Sequence, residues 1–280
     1  MERHELVIIG AGPAGLSAAI YARRAGIETL VLEKGRPGGQ ILTTSRIENY
    51  PGLPEATGAS LAEALRAHAL SFAPRFMTGS VQKLSCCGDD KVIELKDGSR
   101  IAARAVIIAS GAGFRRQGCP GEGKYTGLGV SYCAVCDAAF FEGLEVAVIG
   151  GGLTGCECAL QLARTGHKVH LIEMRPELAP DANIRHRPIL LAELEGEDID
   201  VLTGAAAKCV DADGVTVTVD GEERVVPCQS VIAAIGQRSR SAVVDELRDG
   251  APFVRVIGDA QRPANITLAI YEAYHAGLDV

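Results

Sequence analysis

The sequence predicts an α/β protein of two nested three-layer domains, each built around a parallel sheet. Three observations carry this prediction. A strand–turn–helix–strand block occurs twice, beginning at Leu6 and again at Val146. Further apolar runs, Val92–Leu95, Ala105–Ala109, Val215–Val219 and Val231–Ile235, have the length and β-branched content of buried strands. Two of these runs end alike, in Ala109-Ser110-Gly111 and Ala234-Ile235-Gly236, and a basic, polar stretch follows each. Those stretches read as the crossings between domains. The first domain is then residues 1–113 and 237–280, with the second inserted at 114–236.

The block explains itself residue by residue. An apolar run ends at Gly10 in the first copy and at Gly150 in the second, an offset of 140 residues that holds throughout. Gly12, Gly15, Gly26 and Glu33 match Gly152, Gly155, Gly166 and Glu173 at that offset. The first glycine makes the turn. The second lets backbone approach a pyrophosphate, and the third lets helix and strand pack closely. The helix N-terminus that follows favours phosphate charge. Leu16, Ala19 and Ile20, and then Ala159, Leu160 and Ala163, mark the inward faces of the two helices. Gly26 and Gly166 sit where a helix needs a left-handed terminator. Each second strand ends at a glutamate suited to the diol of a ribose. Two full copies of this Rossmann-like fingerprint predict two bound dinucleotides.

Composition narrows the function. The 280 residues are 47% hydrophobic and 22% charged, with a net charge of −7 and no tryptophan. A mildly acidic surface with few aromatic residues argues against nucleic-acid binding and against a membrane-surface role. No apolar run has transmembrane or signal-peptide length. With nine cysteines at irregular spacings, the expected location is cytoplasmic, with mostly reduced thiols. The six histidines show no ligand spacing and read as surface or cap residues.

Between the two copies lies Ser131-Tyr-Cys-Ala-Val-Cys-Asp137. Cys133 and Cys136, two residues apart, can close a small disulfide ring, and a helix starting at the first would lower its thiol pKa. Asp137 adjoins the pair and could carry a proton. Zinc would need a second CxxC or paired histidines; Cys86-Cys87 are adjacent and Cys156/Cys158 lie inside a predicted helix. Redox use is the favoured reading, beside the alternatives of a zinc site and of two buried thiols. Cys119, Cys209 and Cys228 read as packing residues. No metal site is expected.

These motifs resemble the low-molecular-weight thioredoxin reductases. The resemblance runs through Gly10-Ala-Gly-Pro-Ala-Gly15, Gly38-Gly-Gln40, Glu48-Asn-Tyr-Pro-Gly52, Ala109-Ser-Gly-Ala112, Pro120-Gly-Glu122, Tyr132-Cys-Ala-Val-Cys-Asp137 and Gly258-Asp259. It implies FAD in the first domain, with Gly10, Gly12, Ala14 and Gly15 at the pyrophosphate and Glu33 at the adenosine ribose. Gly39, Gln40 and Asn49 would lie beside the flavin, Asp259 at the ribityl chain or pyrophosphate, and Gly111 and Gly258 in the same cofactor site. It implies Cys136 facing the flavin, Cys133 attacking the disulfide of thioredoxin or a similar small redox protein, Asp137 as the acid, and a homodimer.

Two features depart from that family. The second strand of the inserted domain ends Ile172-Glu-Met-Arg175, where thioredoxin reductases carry a basic cluster for the 2′-phosphate of NADPH. With Gly150, Gly152 and Gly155 at the pyrophosphate, Glu173 favours the free diol of NADH; Arg175 leaves NADPH open as a second donor. Glu173 to Asp181, Arg185 to Pro188, and Gly258 to Ile266 with Glu272 and Ala276-Gly277, resemble the enoate and dienoyl-CoA reductase flavoproteins. The Arg-Gln pair that normally follows Asp259 is absent. The expected activity is reduction of a protein disulfide by NADH through FAD. A ferredoxin- or flavodoxin-fed flavin, an oxygen-using disulfide oxidase and a non-catalytic NADH-sensing module are the alternatives.

Overall fold

The computed structural model describes residues 1–44, 46–47, 49–133, 143–180, 182–240, 244–245 and 254–280. The chain forms two compact units, Met1–Gly113 with Gln237–Val280, and Phe114–Gly236.

The first unit opens with β1 (Glu2–Ile9), α1 (Pro13–Arg24) and β2 (Thr29–Glu33), then α2 (Gly58–Leu70) and β3 (Arg75–Thr78). An antiparallel run follows, β4 (Val81–Cys87), β5 (Asp90–Leu95) and β6 (Arg100–Ile108). The strand order is β3-β2-β1-β6-β5-β4, and β1 pairs parallel with both β2 and β6. Alternation along the strands creates the layers. Leu6 and Ile8 pack with Leu16, Ala19 and Leu61 of the helices; Val7 and Ile9 pack with Leu84, Ile93 and Leu95 of the antiparallel run.

The second unit repeats the plan. β7 (Val130–Ser131), β8 (Val146–Ile149), α3 (Leu153–Arg164), β9 (Val169–Ile172), α4 (Arg187–Glu195) and β10 (Ile199–Leu202) precede a three-stranded meander. The meander is β11 (Ala206–Asp211), β12 (Gly214–Val219) and β13 (Glu222–Pro227), and β14 (Ser230–Ala233) follows it. The parallel sheet runs β10-β9-β8-β14-β7. Val146 and Val148 pack on α3 and α4 through Ala159, Leu160 and Leu190, while Ala147 and Ile149 face Val215 and Val217 of the meander. The chain then returns to the first unit with β15 (Arg255–Val256), parallel to β6, and α5 (Ile266–Leu278).

Val92–Leu95 and Val215–Val219 lie within β5 and β12, whereas Ala105–Ala109 runs one residue past the end of β6 and Val231–Ile235 two residues past the end of β14. Helix α1 departs from the predicted single face: eight of its residues are buried, because α5 and α2 cover it opposite the sheet. The histidines need a correction. His68, His186 and His275 are exposed and His167 is half-buried, but His4 and His170 are buried, at 3% and 5% exposure. They lie on strands β1 and β9 beside carboxylates, and His4 Nδ1 meets Glu28 Oε1 at 3.0 Å. His170 Nδ1 meets Asp200 Oδ2 at 2.9 Å and Nε2 meets Glu145 Oε1 at 2.7 Å. Ion pairing with Lys168, and then with His170, holds the Glu145 carboxyl below its usual range.

The third glycine of each copy rests directly on the carbonyl of the first. A Cβ on Gly15 would lie 1.8 Å from the Gly10 carbonyl oxygen, and on Gly155 1.7 Å from that of Gly150. Neither oxygen belongs to a flexible side chain that could yield. Gly15→Ala and Gly155→Ala are each expected to cost about 3 kcal/mol or more, read as a lowered melting temperature.

Candidate functional site

Each glycine loop is built by the strand beside it. Gly10 and Gly150 both hold φ +108°, and a Cβ there would lie 2.3 Å from Ala109 O and 2.6 Å from Ala234 O. The strands ending in Ala109-Ser-Gly and Ala234-Ile-Gly therefore press on the first glycine of each loop. Ala109 N donates to Ile9 O and Ala234 N to Ile149 O, both at 2.8 Å.

The glutamates clamp the loops from the other side. Glu33 Oε2 accepts from Ala11 N at 2.9 Å and its Oε1 from Gly35 N at 3.0 Å. Glu173 Oε2 accepts from Gly151 N at 2.5 Å and its Oε1 from Arg175 N at 2.7 Å. The two pairs of bonds correspond at the same offset of 140 residues. Glu173 is 8% exposed, so these charge-assisted bonds offset the cost of burying its carboxylate.

The space in front of the helices is suited to phosphate. No side chain caps α1 or α3, and neither has an acidic residue in its first turn. A Cβ on Gly152 would meet nothing within 4 Å, and on Gly12 only the Gly39 Cα at 3.8 Å. The second glycine of each loop thus borders open space, where a pyrophosphate can approach the backbone and the uncapped N-terminus.

Several of the expected flavin-site residues come together in the first unit. Gly39 backs onto Gly12: a Cβ on it would lie 3.1 Å from the Gly12 Cα. Gln40 Nε2 donates to Ala112 O at 3.1 Å, next to Gly111, whose φ is +73°. A Cβ on Gly258 would sit 2.8 Å from that of Ala14, so the Gly258–Asp259 turn lies at the start of α1. Asp259 Oδ1 accepts from Ala264 N at 3.1 Å, and Gly258 N donates to Glu272 Oε2 at 2.6 Å. Asn49 is exposed, between the bridge residues Ile47 and Tyr50. Gly39 and the Gly258–Asp259 turn thus border the Gly12 loop and the start of α1, where a dinucleotide would lie.

In the second unit Cys133 is disulfide-bonded and half-buried; Cys136 and Asp137 lie outside the described residues. Strand β7 pairs in parallel with β14, and β14 with β8. Cys133 and Gly150 therefore leave this sheet at the same carboxyl edge, the edge at which such sheets bind ligands. Among the described residues no group of His, Cys, Asp and Glu could hold a metal ion. Cys156 and Cys158 are packing thiols, which burial pushes up to about 11 and about 12.

Three contacts escape the sequence reading. Gly151 must be glycine, because a Cβ there would lie 2.5 Å from Leu178 Cδ2 and 2.8 Å from Glu173 Cβ; Ala11 fills the same place in the first copy. Glu272 lies far along the chain from the turn it holds. Glu122, 4% exposed, accepts from Gln117 N, Gly118 N and Tyr132 Oη at 2.8, 2.7 and 2.7 Å. Glu122, Tyr132 and Glu272 stand in the motifs quoted above, and the second glycine motif reads Gly-Gly-Gly, but none of these patterns names the contact partner.

The whole-chain comparisons agree on one family. The model of the pyridine nucleotide-disulphide oxidoreductases matches residues 4–270. The thioredoxin reductase of Bacillus subtilis is 37% identical over 252 residues, covering 87% of this chain and 78% of that protein. The thioredoxin reductase of Lactococcus lactis, solved in its FR conformation, superposes with a TM-score of 0.87 at 30% identity, covering 99% of this chain and 97% of that one. A 2-naphthoyl-CoA reductase shares the fold at 21% identity with a TM-score of 0.71, covering all of this chain and 40% of that one.

Burial pushes the Glu122 carboxyl up, but Tyr132 and the amides of Gln117 and Gly118 outweigh it and leave the pKa below its ordinary 4.5. The stability this contributes is fully present above the unfolded value and is lost as pH falls through the folded one. Glu122→Gln is expected to lower the melting temperature at pH 7. It should also flatten the decline that the parent shows below about pH 4.5, as followed by melting temperature against pH.

Proposed function

Because the chain belongs to the pyridine nucleotide-disulphide oxidoreductase family, we propose that it reduces the disulfide of thioredoxin, or of a similar small redox protein, with electrons from NADH. The observation that carries the choice of donor is the matched pair of carboxylate clamps. Glu33, in the loop assigned to FAD, would face an adenosine ribose that bears no 2′-phosphate. Glu173 repeats its bonding partner for partner. A 2′-phosphate would bring like charge against a buried carboxylate, whereas a free diol can donate hydrogen bonds to it. Arg175 turns its backbone N–H toward that carboxylate, and NADPH is the weaker donor in this reading.

Bound FAD would accept a hydride from the nicotinamide and supply two electrons to the Cys133–Cys136 disulfide. The residues of the chain do the rest. Gly12 with α1, and Gly152 with α3, receive the two pyrophosphates. The Gly258–Asp259 turn, held by Glu272, orients the ribityl section. Once reduced, Cys133 attacks the partner's disulfide as a thiolate and forms a mixed disulfide, and one partner sulfur leaves as a thiolate that Asp137 can protonate. Cys136 then attacks Cys133 Sγ, re-forming the internal disulfide and freeing the partner's second thiol. Seven described cysteines form no disulfide, which suits a reducing, cytoplasmic setting. The working unit in this reading is a homodimer.

A ferredoxin- or flavodoxin-fed flavin would leave the open second glycine loop and its clamped glutamate without a use. A sensing module would leave Cys133 without one.

Two experiments test the proposal. Cys133→Ser should abolish reduction of thioredoxin while NADH still bleaches the flavin; full thioredoxin turnover by this variant would remove Cys133 from the mechanism. Gly152→Ala introduces a methyl group into open space at an ordinary φ of −69°. It should keep the parent's melting temperature but raise the NADH Kd at least about tenfold, because the methyl occupies the pyrophosphate's approach. Isothermal titration with NADH reads this directly.

A further inference from the structure

The residue before Cys133 is held more firmly than a surface loop requires. Tyr132 Oη donates to Glu122 Oε1 at 2.7 Å, and the Tyr132 ring stacks on Phe114 with centroids 6.0 Å apart and planes at 22°. Glu122 is itself fixed, by the amides of Gln117 and Gly118 and by its place in a short helix, Glu122–Tyr125. That helix packs on β11, where Val210 N donates to Pro120 O at 3.0 Å. From the other side, Ser131 is locked in register with Ile232 of β14. Its Oγ accepts from Cys133 N at 3.0 Å and donates to Cys133 O at 3.2 Å. Both backbone polar groups of Cys133 and the side chain of its neighbour are thus anchored to the scaffold of the second unit.

We infer that Glu122 and Tyr132 are positioning residues that set the thiol–disulfide equilibrium of Cys133. The inference rests on the reading of Cys133 as half of a redox pair. Closing a disulfide needs a narrow geometry of the two Cβ–S bonds. A cysteine whose backbone is held near that geometry has a high effective concentration toward its partner thiol. The buried carboxylate at the base of the strut makes the arrangement specific. Only a donor at the end of a long, rigid side chain reaches Glu122 from position 132, and tyrosine supplies both that donor and the ring that Phe114 stacks against. Freeing the hydroxyl lets residue 132 turn, and the adjoining Cys133 with it. In chemical terms, two thiols and one external disulfide exchange for the internal disulfide and two external thiols. The strut changes how far this exchange lies toward the internal disulfide.

The test uses the full-length, FAD-loaded protein and its Tyr132→Phe and Glu122→Gln variants, equilibrated anaerobically in buffers of reduced and oxidised glutathione. Acid quenching, alkylation and mass analysis of the peptide containing Cys133 give the equilibrium constant. Tyr132→Phe keeps the ring and its stack, so the fold is expected to survive. The constant for forming the disulfide should fall about tenfold, a rise in potential of about 30 mV for a two-electron couple. Glu122→Gln should move it in the same direction. A constant within about twofold of the parent's in both variants would overturn the inference, even if their melting temperatures fall, because a purely structural contact lowers stability without moving this equilibrium. The two failures are distinguishable: if the parent reduces no protein disulfide, the functional reading falls, while the glutathione equilibrium of Cys133 still decides the role of the strut.

Discussion

The structure depends on a carboxylate that ties a glycine loop to the end of a neighbouring strand. Glu33 and Glu173 each offer one oxygen to the amide inside the Gly-x-Gly turn and the other to the amide two residues beyond themselves. Strand order puts the strand that carries the glutamate next to the strand that ends at the loop, and the clamp converts that adjacency into a rigid cradle. With the loop fixed, the third glycine can rest against the carbonyl of the first, and the helix starts without a side-chain cap. Its uncapped amides then favour an anion in front of them. A buried carboxylate without those two donors would cost several kcal/mol. The same contact therefore stabilises the fold and, in the proposed function, would select the ribose that can approach.

Much of this was legible in the sequence, and the reason is physical. The constraints at Gly10, Gly12, Gly15 and Glu33 act between residues close in the chain, and they recur at Gly150, Gly152, Gly155 and Glu173. Strict local geometry leaves a strict local pattern. The layers were legible too, because the unbroken apolar runs of β1 and β8 serve two different cores. The contacts that sequence reading missed join residues far apart or at irregular spacing. Glu272 reaches back to Gly258, Leu178 closes on Gly151, and Glu122 meets Tyr132 across a turn. His4 and His170 looked like surface residues because a histidine on a strand carries no mark of the carboxylates that will flank it.

The two units handle one motif in two ways. In the first, Ala11 occupies the middle of the turn, and Gly39 and the Gly258–Asp259 turn close around the start of α1. In the second, Gly151 is required because Leu178 and the Glu173 side chain crowd that position, and Ala179 beside them adopts a left-handed φ of +46° with its N–H on Gly151 O. This segment, Glu173 to Asp181, is also where the chain departs from the thioredoxin reductases it resembles. Loss of the usual basic cluster and tightening around Glu173 fall in one place, as expected if both serve the same change in nucleotide. Cys133 follows a strand of the same sheet and leaves it at the same edge as the second loop.

The most direct test is an anaerobic titration of the purified flavoprotein with NADH and, separately, with NADPH, following loss of the oxidised flavin absorbance. Rapid and complete bleaching by NADH, with NADPH much slower at equal concentration, is the result predicted from Glu173. Equal or faster bleaching by NADPH would contradict the role given to that carboxylate. Failure of both nucleotides to bleach the flavin would contradict the nicotinamide-fed mechanism itself.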